Sequence, residues 1–120
     1  MNEFVLAPDR HGPFPGHLAP DTIAAYAAAT GDHTATVLDG HAVPAVFPVI
    51  LVYTPEEAAR ADVPEGVWQH VRGGVHGEHD IVVHRPLVPG ERLDTSSWIS
   101  AVRTSRAGTQ IVMQFEHLPK

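Results

Sequence analysis

The stretch Val43-Pro44-Ala45-Val46-Phe47-Pro48-Val49-Ile50-Leu51-Val52-Tyr53 is the longest apolar run in the chain, and its reading decides the fold. Val46, Phe47, Val49, Ile50, Leu51 and Val52 cover every side of a helix, and an element apolar all round is buried all round. The β-branched residues suit a buried strand equally, so periodicity alone leaves helix and strand open. The run is too short to cross a bilayer core of about 30 Å. Pro44 and Pro48 also interrupt it. Directly after it, Thr54-Pro55-Glu56-Glu57 combines a capping box with a proline at the first helical position. That predicts a separate short helix ending near Arg60.

Toward the N-terminus, Phe4-Val5-Leu6 reads as a brief strand, and the prolines and glycines that follow between residues 8 and 16 predict an extended connection. Asp21 reads as the N-cap of an alanine-rich helix over 22–29, which Gly31 ends. Ile23, Tyr26 and Ala27 share one face, so this helix lies on a core rather than inside one. Toward the C-terminus, strands are expected near 75–84, 91–103 and 109–118, separated by turn signals at 86–90 and 105–108. In the last of them Ile111, Met113 and Phe115 point one way and Gln110, Gln114 and Glu116 the other. The order predicts a single α+β domain over residues 1–120, an antiparallel sheet wrapped around one apolar helix.

Composition narrows the function classes. Hydrophobic residues make up 43% of the 120, enough for a packed core and too many for wholesale disorder. Eight Lys+Arg against fourteen Asp+Glu give a net charge of −6, with no basic cluster to hold a phosphate backbone, so no nucleic-acid partner is expected. The absence of cysteine excludes a disulfide scaffold, a thiolate zinc site and a Cys nucleophile. Met1-Asn2-Glu3-Phe4 has neither a basic n-region nor an apolar h-region, so a cytoplasmic protein without a membrane partner is the expectation. Nine histidines point to chemistry or to pH sensitivity.

Ala29-Thr30-Gly31-Asp32-His33-Thr34-Ala35-Thr36-Val37-Leu38-Asp39 resembles the site loop of the MaoC-like (R)-specific enoyl-CoA hydratases and dehydratases, which have the hot-dog fold. His76-Gly77-Glu78-His79-Asp80-Ile81, His84-Arg85-Pro86-Leu87 and Pro89-Gly90-Glu91 are similar to the MaoC N-terminal-like dehydratase branch, and the resemblance covers roughly residues 18 to 118. In that family a Gly-Asp pair precedes Asn-Pro-x-His, and the Asp and His activate water or take the proton. Here Asp32 stands at the Asp position, but Thr34, Ala35 and Val37 replace Asn, Pro and His. Valine transfers no proton, so the two-residue acid/base device is missing. The resemblance therefore implies an accessory half that pairs with a second hot-dog chain carrying the intact Asp/His. It also implies one more strand after 109–118, for which Leu118-Pro119-Lys120 leaves no room, through truncation or completion by a partner.

Each candidate has a plainer reading beside it. Asp32 follows a helix end, where Asp also makes ordinary Asx turns. His33 and His41 flank the loop and are the weaker catalytic candidates, otherwise solvated loop residues. Val37, Phe47, Tyr53, His76, Glu78 and Arg85 are the candidate substrate-binding residues. Phe47, Ile50 and Tyr53 belong equally to a buried helix and its core. His76, Glu78 and Asp80 would share a strand face and border a tunnel or pair across the sheet, with His79 opposite; the spacing is a poor metal signature, and no metal or cofactor is expected. Arg85 and Arg103 are the available phosphate partners, Trp68 and Trp98 core or interface anchors. The expected function is hydration of an enoyl thioester, or dehydration of a 3-hydroxyacyl thioester, by an accessory subunit. The alternatives are a homodimeric cyclase or dehydratase of specialised metabolism using Asp32 and a nearby His, and a non-catalytic binding or assembly module.

Overall fold

The computed structural model of the protein describes residues 2–4, 9–69 and 71–120. In chain order the elements are β1 (Asn2–Phe4), β2 (His11–His17), α1 (Pro20–Thr30), α2 (Ala35–Leu38), a 3₁₀ turn (Phe47–Leu51), α3 (Tyr53–Arg60), α4 (Glu65–Trp68), β3 (Arg92–Ser105) and β4 (Gly108–Pro119). They make a mixed α+β structure around one open antiparallel sheet. Every strand pairs with β3. β4 folds back on it through a two-residue turn at Arg106-Ala107, in register from Ser105↔Gly108 to Leu93↔Pro119. Because β4 occupies one edge of β3 along its length, β1 and β2 share the other, at Phe4↔Val102 and His17↔Arg92 respectively.

The alternation of β3 explains its two faces. Leu93, Thr95, Ser97 and Ile99 are buried, while Asp94, Ser96, Trp98 and Ser100 are half-exposed. A bulge between Ile99 and Ala101 inserts one residue against β4, and that extra residue returns Val102 to the cluster that holds Ile99. The β4 alternation reads as expected, with Ile111 and Met113 packed on that same cluster. The stretch read as an extended connection is the strand β2, and Val5 and Leu6 lie outside the described residues. Pro13 and Pro15 are tolerated because β2 is an edge strand, whose outward groups need no ladder partner.

Helix α1 ends as expected, with Gly31 at φ 69° donating its N–H to the Ala27 and Ala28 carbonyls. Its start differs. Ala19 is the N-cap and Pro20 the first helical residue, so Asp21 interacts with the helix dipole rather than capping. Ile23 and Ala27 are buried, and Tyr26 meets Phe47 edge-on at 5.4 Å.

The apolar run 43–53 is not a buried helix. Only the short 3₁₀ turn forms within it, since Pro44 and Pro48 lack the N–H groups a longer ladder needs. Phe47, Pro48 and Val52 are buried, but Val46 and Tyr53 are 52% and 67% exposed. The helix lying across the sheet is α3. Its N-cap is Val52 with no side-chain cap, so Thr54 does not cap it, and Pro55 falls at the third helical position rather than the first. A proline fits there because the first four helical N–H groups have no intrahelical acceptor. Ala59 is fully buried, and Ser97 Oγ donates to the Pro55 carbonyl at 2.7 Å.

The strand expected at 75–84 is also absent: residues 71–86 are exposed and carry no strand. β-branched residue types favour a strand only where a neighbouring edge takes up the backbone groups.

The core has two parts. Leu18, Ile23, Phe47 and Leu93 form one cluster; Ala59, Val63, Ile99 and Val102 form the other. On β3 the buried Thr95 and Ser97 lie between them, a polar seam across the covered face. Among the described residues no helix is long and apolar enough to cross a membrane.

Candidate functional site

The junction of α1 and α2 gathers part of the expected site. After the left-handed turn at Gly31, the Asp32 N–H donates to the Ala27 carbonyl at 2.9 Å, and Asp32 Oδ1 accepts the Thr34 N–H at 3.0 Å. This is an Asx turn, one that leads the chain into α2. Hydrogen bonds from the Thr34 side chain and then its backbone N–H, with a smaller contribution from His33, hold the carboxyl below the ordinary carboxylate range. Asp32 is therefore an anion at neutral pH, suited to accept a proton or a hydrogen bond and not to act as an acid.

Asp32, His33 and Val37 line one cavity of about 210 Å³, whose other walls are Ala24, Ala27, Ala28 and Leu38. The three alanines of α1 leave this space because they carry no bulk beyond Cβ. Val37 is 8% exposed, so an apolar side chain fills the position where the resemblance implies an imidazole. His41 lies elsewhere, on a second cavity of about 320 Å³ between residues 41–45 and Val83, Pro86 and Leu87.

The remaining candidates do not converge on Asp32. Phe47 is fully buried in the first cluster, where it serves packing. Tyr53 stands exposed at the start of α3 and lines neither cavity. His76, Glu78 and Asp80 share no strand face, because residues 75–84 form no strand; the His76 and His79 rings lie 5.1 Å apart in this exposed segment. Among the described residues no three His, Asp or Glu side chains converge as metal ligands would.

Arg85 is engaged within its own loop. Its guanidinium forks onto the Glu91 carboxylate, one Nη1–Oε2 contact being 3.3 Å, and reaches the Pro86 carbonyl at 3.1 Å. Glu91 in turn accepts the Val88 N–H at 3.2 Å. The hydrogen bond between them raises Arg85 and lowers Glu91 from their ordinary values. The fork that would clasp a phosphate is thus occupied by a carboxylate. Arg103 bonds Gln110 at 3.4 Å. Trp98 sits on the uncovered face under the Arg10 guanidinium at 4.1 Å, and Arg10 pairs with Glu116 at 3.0 Å. Trp68 packs against the second cluster.

Two polar pairs escaped the sequence reading. His11 Nε2 lies 2.5 Å from Asp62 Oδ2, tying β2 to the chain after α3. His117 Nδ1 lies 2.7 Å from Thr95 Oγ1 across the covered face. The signal for the second was available: His117 follows Ile111, Met113 and Phe115 in the inward phase of the strand. Compared with protein families, with curated proteins and with solved structures, the chain finds no match in any of the three.

Proposed function

We propose that this chain is a hot-dog subunit of the MaoC-like type, the accessory half of a cytoplasmic heteromer that hydrates an enoyl thioester or dehydrates a 3-hydroxyacyl thioester. One observation carries the reading: Asp32 and the buried Val37 line the same cavity at the end of α1. An anionic carboxylate shares the cavity with an apolar side chain where acid/base chemistry needs a second titrating group. In this scheme the partner chain supplies the Asp/His pair, a backbone N–H polarises the thioester oxygen, and Asp32 is a secondary contact.

The free edge of β4 supports a partner. Among the described residues nothing pairs with its outer side, and over its twelve residues Glu116 is the one acidic or basic side chain besides His117. Edge strands that stay unpaired usually carry lysines, bulges or prolines that block association, whereas β4 has no lysine and a proline only at its last residue, Pro119. A homologous subunit, in a homodimer or heterodimer, would continue the sheet there.

The isolated chain is expected to give no measurable hydration of crotonyl-CoA. Native mass spectrometry from its own cells should show a complex with a second hot-dog chain carrying Gly-Asp-x-Asn-Pro-x-His. Robust turnover by the pure homomer would sink the accessory role. It would favour a second reading instead, a homodimeric enzyme using Asp32 with His33, which lines the same cavity. Under that reading Asp32→Ala abolishes the turnover.

A further inference from the structure

The polar seam between the two core clusters has an imidazole on either side of β3. On the β2 side, His11 has a carboxylate at 2.5 Å in Asp62. On the β4 side, the partner of His117 among the described residues is the Thr95 hydroxyl, which is itself buried. Of the groups on elements packed against this face, Glu56 and Arg60 of α3 are ion-paired with each other at 3.8 Å. Glu57 and Tyr53 of the same helix are exposed, and the residues of β3 facing inward beside His117 are the uncharged Leu93, Thr95 and Ser97. Phe115 and Pro119 flank the imidazole on its own strand, and Lys120 lies beyond. An imidazolium formed here would be a charge in a half-buried site with no ion pair to it among the described residues.

We propose that the Thr95–His117 pair is an acid-sensitive latch, which holds the C-terminal half of β4 on β3 at neutral pH and releases it when the imidazole takes up a proton. Burial pushes His117 below the ordinary imidazole value. The sign follows from linkage. Above the ordinary imidazole value the folded and unfolded chains are both neutral at this residue, and the latch costs nothing. As pH falls through that value the unfolded or opened chain takes up the proton first, so the closed state loses stability until the folded-state value is passed.

Hydrogen exchange on the full chain tests this, with rates corrected for intrinsic pH dependence. Between pH 7.5 and pH 5.5, amides of residues 113–118 should gain several-fold in exchange while those of α1 change little. His117→Gln should remove that difference. An equal acid response in His117→Gln would overturn the latch. Should that variant fail to fold, the imidazole of the unsubstituted protein decides by NMR titration: a midpoint below those of the exposed histidines supports the latch, and one at or above them overturns it.

Discussion

Phe47→Ala should lower the free energy of unfolding by about 3–5 kcal/mol, a large share of the roughly 5–15 kcal/mol typical of a domain. Phe47 is fully buried, touches Leu18, Ile23 and Leu93, and receives the edge of Tyr26 at 5.4 Å. Its ring is therefore the contact that binds α1, the 3₁₀ turn and β3 into one cluster. Removing it leaves a cavity bounded by β3 on one side and two helical elements on the other, and a sheet cannot collapse into such a gap. Urea denaturation should show a lower midpoint with an unchanged slope. Phe47→Leu, which keeps most of the volume, should recover more than half of the loss. A midpoint unaltered by Phe47→Ala would mean that this cluster contributes nothing to the cooperative unit.

The second large effect is expected at Gly12, where two penalties coincide. Its φ is 108°, a region side chains rarely adopt, and a Cβ there would lie 2.7 Å from the Thr95 carbonyl oxygen. The dihedral costs on the order of 1–3 kcal/mol and the overlap with backbone a further ~1–3 kcal/mol. Gly12→Ala should therefore destabilise strongly and weaken β2 pairing with β3. Gly31 is the control: its φ is 69°, but a Cβ there meets nothing within 4 Å. Gly31→Ala should cost only about 1 kcal/mol, the dihedral part alone. Equal losses at the two positions would show that the approach to Thr95 does not matter.

These residues also mark what the sequence makes legible. The β3–β4 hairpin was readable because alternation and turn residues are local signals, and α1 ended at Gly31 for the same reason. The strand β2 was not, since prolines and glycines are compatible with a strand only at a sheet edge, and edge position is a tertiary fact. The apolar run misled because apolarity reports burial and not conformation, and its two prolines settled the conformation. Residues 75–84 misled in the opposite way, by having strand-forming residues that pair with no edge of the sheet. At the site, Asp32, His33 and Val37 were found together because they are neighbours in sequence and straddle one turn. His41 is nearly as close along the chain but is carried past the end of α2 onto another cavity. The partner of Arg85, Glu91 six residues on, could be placed only once the loop was folded. His117 was missed since a histidine in an apolar phase looks like an interruption of the pattern.

That every strand pairs with β3 has a consequence for synthesis. The residues of β2 leave the ribosome about 75 residues before the residues they pair with, His17 lying opposite Arg92. At roughly 5–20 residues per second a lag of about 75 residues keeps the end of β2 waiting some 4–15 s, and β1, opposite residues about 100 positions on, waits longer. β4 waits hardly at all, because it follows β3 through a two-residue turn. The hairpin thus assembles as it emerges and serves as the template on which the earlier-made strands β1 and β2 finally settle.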